Sequence, residues 1–237
     1  MSDDYDAYLA VLRNNVEQRY RQKGKLSAAK ATEWHRISLA VLACGGDPTA
    51  FGTDENGQAI NLIADGTYDR GKTVSLGKQG INGWIWGLIA LDSLRYEIRE
   101  DAFYSRDDII CEILRRQLPV GGFALYGNAV DPDITAMAVQ ALSPYYNSEK
   151  QYKYVTSGTK ETKAATVRQI IDTLAAHGAL SYTTVVCSTA GQSAPMQYIA
   201  PYSGAAVAEH FCYTGRDALI VYDDLSKHAV AYRAISL

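Results

Sequence analysis

The sequence predicts a mixed fold, in which an N-terminal all-α part built from helical hairpins is followed by a partial α/β segment with a parallel sheet. Three similar apolar segments predict the first part: WHRISLAVLACGGDP at 34–48, INGWIWGLIALDS at 81–93 and DPDITAMAVQALSPY at 131–145. After residue 164, short β-branched runs alternate with helix-like runs, which is the pattern of a βαβ unit. The polar stretch NSEKQYKYVTSGTKETK between the two parts is predicted to be a loop.

The spacing of the three apolar segments predicts stacked helix pairs. Their central alanines, Ala43, Ala90 and Ala141, recur with a period of about 50 residues, which suits two helices per repeat. Each such repeat buries its apolar face only against the next one. The partner helix of the second repeat has its own start signal, because Ser105 and Asp108 have the spacing of a capping box.

The C-terminal elements are predicted from run length and residue type. TTVVCSTA and ALIVYDD are typical of strands, the second of them buried, while APYSGAAVAEHF and LSKHAVAYRAISL are typical of helices. A further helix is expected from about Ala164 to His177. In a parallel sheet ALIVYDD would deliver Asp223 at its carboxyl end, where ligands of open α/β sheets bind. A carboxylate there can hold Mg²⁺ beside nucleotide phosphates, and Asp224 would complement the dipole of the next helix.

Composition and charge exclude several classes of function. The 237 residues carry 26 acidic and 23 basic side chains, a formal net charge of -3, without clusters of Lys and Arg. Nucleic acid is therefore excluded as a primary partner. The four cysteines and four histidines are scattered without metal-ligand spacing, so no metal site is expected.

The N-terminus and the apolar stretches carry no targeting or membrane signal. The opening MSDDYDAYLAVLRNN is acidic and lacks the apolar core of a signal peptide. The longest apolar stretch, around Ile81 to Leu91, is shorter than the ~20 residues that cross a bilayer. We therefore expect a cytoplasmic chain without direct membrane insertion.

The run from Gly178 to Leu237 resembles the F-type ATP synthase alpha subunit. The resemblance rests on the long motifs SAPMQYIAPYSG and ALIVYDDLSKHAVAYR, in the family's order and spacing. It implies a P-loop-NTPase-like nucleotide-binding segment with ALIVYDD as the Walker B strand and with Asp223 and Asp224 beside nucleotide and Mg²⁺. The implied cofactor is ATP or ADP with Mg²⁺. The implied partners are beta-like subunits or further copies of the chain, and the implied location is a peripheral membrane complex.

The helical part resembles the prenyltransferase-like alpha/alpha-toroid repeats of bacterial surface proteins, over roughly residues 25–148. The resemblance is carried by GKQGINGWIWGLIALDS, RDDIICEILRRQLPVGGFALYGN and DPDITAMAVQALSPYYNS, and it implies a cell-surface location. Cyclases of this fold use an Asp-x-Asp-Asp-Thr-Ala motif. Asp131 and Asp133 match it in part, because Ile134 replaces the third acid. The favoured alternative is that both acids cap the following helix.

A literal phosphate-loop string, G-x-x-x-x-G-K-T, runs from Gly66 through Gly71 and Lys72 to Thr73. A working loop of this kind lies between a buried strand and a helix, so that backbone amides and the helix dipole bind phosphate. Here the preceding AINLIAD is compatible with a helix, and glycines interrupt any helix that follows. The favoured interpretation is therefore a turn between two hairpins.

These patterns predict a helical repeat domain over 1–148, a linker over 149–163 and a partial nucleotide-binding segment over 164–237, with the resemblance changing near Thr173 to Gly178. We expect a mosaic chain, from a truncated or artificially joined reading frame, with no complete catalytic site. The reason is that no phosphate loop in its proper setting precedes Asp223. The alternatives are a surface or interaction module served by the helical part, and a terpene-cyclase or prenyltransferase relative that uses Asp131 and Asp133.

Overall fold

The computed structural model of the chain describes residues 2–70, 74–178, 184, 186, 194–218, 220, 222 and 225–236. Contacts divide the chain into two compact units, Met1–Ser181 and Tyr182–Leu237. The first unit thus contains the three repeated segments, the polar stretch that follows them and the helix expected from about Ala164.

Helices dominate the first unit. They are α1 (Ser2–Lys23), α2 (Thr32–Ala43), α3 (Leu62–Gly66), α4 (Ile81–Asp92), α5 (Arg106–Leu114), α6 (Pro132–Leu142) and α7 (Val167–Ala176). The repeated apolar segments form α2, α4 and α6, which confirms that each contains a helix. Two short 3-10 helices, Leu76–Gln79 and Ser143–Tyr145, adjoin α4 and α6. Within the described part of the chain, membrane crossing would need a longer or more apolar helix than any that is present.

Helix α4 lies at the centre of the core of the first unit. Nine of its 12 residues are buried, and it contacts α2, α5 and α6. Burial on several sides explains why INGWIWGLIALD has no polar face. The helix approaches the preceding 3-10 helix so closely that a Cβ at Gly83 would lie 1.9 Å from the carbonyl oxygen of Leu76. A second buried cluster joins α1 to α2 around Val16, Trp34 and Phe51.

Side-chain caps fix where two helices of this unit begin. The Ser105 hydroxyl accepts from the backbone N–H of Asp108 at 3.1 Å, and the Asp108 carboxylate accepts from the N–H of Ser105 at 2.8 Å. The capping box predicted for α5 is therefore confirmed. Thr166 and Gln169 form a second capping box at the start of α7.

A β-hairpin occupies part of the polar stretch. Strand β1 (Tyr152–Val155) pairs antiparallel with β2 (Thr162–Ala165), so the prediction of a loop is wrong at these positions. The reason is that Tyr152 and Tyr154 alternate with exposed residues and enter the same buried cluster as Ile109 of α5. Backbone contacts add to this packing, since the N–H of Ser157 donates to the carbonyl oxygen of Arg115 at 2.8 Å.

The described residues of the second unit form two helices, α8 (Ala194–Tyr213) and α9 (Leu225–Ser236), which pack against each other. Both predicted C-terminal helices are thereby confirmed. The buried strand predicted in ALIVYDD is wrong at the three positions described before Asp223, since Ala218, Ile220 and Tyr222 are exposed and outside any strand. A parallel strand needs neighbouring strands to pair with its backbone, and the described part of this unit contains no strand. The strand predicted in TTVVCSTA falls mostly outside the described residues, and Thr184 and Val186 are not in a strand.

Candidate functional site

The two acids expected beside nucleotide and Mg²⁺, Asp223 and Asp224, lie outside the described residues. Their described neighbours show what surrounds them in the sequence. Tyr222 precedes them and is 40% exposed, and α9 begins directly after them at Leu225. The acids therefore lie between an exposed segment and the start of a helix, the end of a helix at which a negative charge is stabilised.

An aromatic cluster joins α8 to the first turns of α9. The ring of Tyr198 stacks on His228 with centroids 5.1 Å apart and an interplanar angle of 8°, and it also stacks on Tyr232 at 5.7 Å. Tyr202 meets His228 edge-on at 5.5 Å. Because His228 is in the first turn of α9, the cluster packs the start of that helix against α8.

This cluster was not among the sites predicted from the sequence. Its signal was present, because Tyr198 and Tyr202 on one helix, and His228 and Tyr232 on the other, are each spaced by four residues and so share a helix face. Two aromatic pairs of this spacing on consecutive helices predict a shared interface.

The described part of the phosphate-loop string is folded as the end of a helix and a turn. Residues 62–66 form α3, so a helix stands where a phosphate loop needs a strand. The backbone N–H groups of Thr67, Asp69 and Arg70 all donate to carbonyl oxygens of the chain, at 3.0, 2.9 and 3.1 Å. These amides are thus engaged and do not face a phosphate. Gly71, Lys72 and Thr73 lie outside the described residues.

Gly66 itself is packed against α2. Its carbonyl oxygen accepts a hydrogen bond from Nε2 of the buried His35 at 2.7 Å, and a Cβ at this position would lie 2.6 Å from the Cβ of Trp34. The glycine is therefore explained by close helix packing. Burial lowers the pKa of His35 to about 4, which keeps the ring neutral near pH 7.

A chain of polar contacts lies behind the string. The Arg70 side chain is 2% exposed, and its guanidinium lies 4.0 Å from the centre of the Trp34 ring. The Trp34 indole N–H donates to the Tyr20 hydroxyl at 2.7 Å, which in turn donates to the Asp65 carboxylate at 2.6 Å. Burial, and then the nearby Asp65 charge, raise the pKa of Tyr20. Arg70, the basic residue of the string that the structure describes, is therefore part of the buried core, where it packs on Trp34.

A cavity of about 390 Å³ adjoins this network. Among its lining residues are three acids, Asp54, Asp65 and Asp69, and one base, Arg99, which pairs with Asp69 at 2.6 Å. Excess negative charge repels phosphate. The cavity therefore gives no support to a phosphate site at this end of the string.

The two acids compared with a cyclase motif lie at the start of α6. One oxygen of Asp131 accepts from the backbone N–H groups of Asp133 and Ile134, at 2.9 and 3.1 Å, which is helix capping. Asp133 is exposed, whereas an acid that protonates an alkene has to be desolvated to stay protonated. In the described part of the chain, no three His, Cys, Asp or Glu side chains come together as they would around a metal ion.

Comparison with known proteins finds similarity in the C-terminal part. The model of the ATP synthase alpha/beta family, nucleotide-binding domain, matches residues 135–237. ATP synthase subunit alpha of Caldanaerobacter subterraneus subsp. tengcongensis is 52% identical over 103 residues, which are 44% of this chain and 20% of that protein. ATP synthase subunit alpha 1 of Mycoplasmopsis pulmonis is 50% identical over 103 residues, 44% of this chain and 19% of that protein. The chain spans about a fifth of the length of these curated relatives. No solved structure matches it.

The matched segment begins farther upstream than the sequence resemblance suggested. It starts at residue 135 inside α6, not near Thr173 to Gly178, and so includes the β-hairpin and α7. Its first part is packed into the first unit, where the Tyr145 hydroxyl donates to the Asp92 carboxylate at 2.5 Å. Asp92 also pairs with Arg106 at 2.8 Å, and both of these residues precede the match.

Proposed function

We propose that residues 135–237 form a nucleotide-handling segment of the ATP synthase alpha type, and that it binds ATP or ADP with Mg²⁺ weakly without hydrolysing it. The observation that carries this proposal is the identity of about half of all positions over 103 residues with two alpha subunits. Asp223 is the residue proposed to face the metal and phosphates, either directly or through water.

Two features of the described structure support weak binding without turnover. Ile220 and Tyr222, the described residues that come before Asp223 in the run ALIVYDD after Ala218, are exposed. The G-x-x-x-x-G-K-T string belongs to the other unit, and its first amides are engaged in the α3 turn. Electrostatic stabilisation of a transferring phosphoryl group depends on several preorganised donors. A lone carboxylate with a metal ion gives affinity and little catalysis.

The upstream helices are proposed as a repeat module of the toroid type, which makes the chain a mosaic of two segments. The proposed partners are beta-like ATP synthase subunits or further copies of this chain. Support for partners of this kind comes from the relatives, each of which is a subunit of ATP synthase by name.

Titration with a fluorescent ATP analogue, with and without Mg²⁺, tests the function. We expect saturable, Mg²⁺-dependent binding with a dissociation constant in the high micromolar to millimolar range. This corresponds to a binding free energy of about -5 to -4 kcal/mol. The change Asp223→Ala should abolish it. Asp217→Ala is the matched control, because Asp217 is an exposed acid six positions upstream in the same unit, and it should leave binding unchanged.

The alternatives are separated by the same assay. Loss of binding in Lys72→Ala but not in Asp223→Ala would contradict the proposal and assign binding to the literal phosphate-loop string. Steady release of phosphate from ATP would contradict the absence of turnover. If neither nucleotide nor an isoprenoid diphosphate binds, the chain is better explained as an interaction module.

A further inference from the structure

Helix α8 carries an exposed stripe of largely apolar residues on one face. Its members recur at alternating intervals of three and four residues, the spacing at which one helix packs along another. They are Met196, Ile199, Ser203, Ala206, His210 and Tyr213. Every one of them is exposed, and the exposed fraction reaches 86% at Tyr213. The stripe contains no Asp, Glu, Lys or Arg, although a solvent-facing helix face is normally charged.

The stripe lies on the side of α8 that α9 leaves uncovered. At about 100° per residue, Ala208 lies nearly opposite the centre of the stripe. Ala208 is buried, and Tyr198 stacks on His228 of α9, so α9 covers the other side of the helix.

The second unit has few buried side chains of its own. Its described residues include only two buried hydrophobic side chains, Ala208 and Ala231. In α8, one residue in 20, Glu209, carries a full charge. A short helix pair with so small a core is stabilised when another apolar surface covers it.

We propose that this stripe packs against the same stripe of a second copy of the chain, in an antiparallel, twofold-symmetric helix pair. The order of side-chain sizes favours that partner. Small Ser203 and Ala206 at the centre let two helices approach closely where they cross. In an antiparallel pair Ile199 then lies opposite His210 of the second copy, and Met196 lies opposite its Tyr213.

The size of the stripe sets the expected affinity. A 20-residue helix is about 30 Å long and 10 Å wide, so one face of it covers less than the roughly 800 Å² per partner of a standard interface. We therefore expect a concentration-dependent dimer with a dissociation constant in the range of roughly 1–100 µM. Dimerisation needs no nucleotide, so it does not depend on the nucleotide binding proposed above; it rests on that proposal only in taking a further copy of the chain as the partner.

Sedimentation velocity on the full chain, without nucleotide and over a concentration series spanning that range, tests the dimer. The changes Ile199→Glu and Ala206→Glu should each weaken it at least about tenfold, because each places a charge in the contact. Val11→Glu is the matched control, since Val11 is 72% exposed on α1, and it should leave dimerisation unchanged. Far-UV circular dichroism should show equal helix content in all variants. A wild-type chain that stays monomeric throughout, or equal weakening by Val11→Glu, would overturn the proposal.

The antiparallel orientation has a separate test. Ile199→Lys and His210→Glu should each weaken the dimer, and the two changes combined in one chain should restore it. The reason is that an antiparallel pair brings the new lysine against the new glutamate, whereas a parallel pair brings like charges together. Failure of the combination to restore a dimer that both single changes weaken would overturn this orientation.

Discussion

The two units differ in how much they bury. In Met1–Ser181 a continuous core runs from α3 to α7 and includes fully buried Ile85, Ile109 and Phe123. In the described part of Tyr182–Leu237, Ala208 and Ala231 are the buried hydrophobic residues, while larger side chains such as Tyr213 are exposed. Yet the second unit lies wholly inside the segment that matches the ATP synthase alpha/beta family model.

Sequence identity to a relative therefore does not indicate which residues of this chain are buried. Over 103 residues the chain is 52% identical to a much longer protein, yet only part of the matched segment is packed into the continuous core. The matched residues that lie in the continuous core all belong to the first unit, and among them Tyr152 and Tyr154 of the hairpin share that core with α5, which precedes the match. Whether a matched residue is buried therefore depends on the helices and strands that pack against it in this chain.

The largest expected effect on stability comes from replacing a glycine by alanine, and this effect should differ between the two units. Gly83→Ala places a Cβ against the backbone oxygen of Leu76, and should lower the free energy of unfolding by about 3 kcal/mol. Gly204→Ala meets open space inside α8 and should raise helix stability by roughly 0.5–1 kcal/mol. The effect of Gly83→Ala is measured by urea unfolding monitored through tryptophan fluorescence, since all three tryptophans lie in the first unit. Equal effects of the two changes on stability would contradict the difference in packing between the units.

The stability of the first unit is expected to decrease at acidic pH. The pKa of His35 falls from 6.5 in the unfolded chain to about 4 in the folded one, so between these values the unfolded state binds more protons. Stability should therefore fall by about 2–3 kcal/mol as the pH drops from 7 to 4. The variant His35→Gln should lose this component of the pH dependence, whereas His177→Gln, at an exposed site, should keep it. Identical pH profiles for wild type and His35→Gln would contradict the assignment.

A smaller effect tests the cap of α6. Asp131→Ala removes the acceptor for two backbone N–H groups and should cost about 1 kcal/mol of unfolding free energy. Asp131→Asn keeps an acceptor oxygen and should cost less. Asp133→Ala, at an exposed position, is the control. A larger loss in Asp133→Ala than in Asp131→Ala would speak against capping.

Local signals predicted much of the first unit. Apolar spacing located α2, α4 and α6, and Ser105 with Asp108 marked the start of α5, because these patterns depend on residues within a turn or two. The β-hairpin was missed because its inward face holds only Tyr152 and Tyr154 within a polar stretch.

Non-local contacts limited the rest. Whether 218–222 forms a strand depends on neighbouring strands, which the run ALIVYDD cannot encode by itself. The G-x-x-x-x-G-K-T string likewise does not reveal that Arg70 is buried against Trp34, 36 positions earlier. Asp223 and Asp224 remain a prediction from resemblance, since they lie outside the described residues.

Hydrogen exchange measured by mass spectrometry tests most directly whether the two units differ in this way. In dilute protein, amides of α4 should exchange only through global unfolding, while amides of α8 should exchange orders of magnitude faster. Raising the protein concentration should slow exchange in α8 and leave α4 unchanged. If α8 is as protected as α4 at the lowest concentration, the second unit is stable by itself and the contrast between the units is refuted.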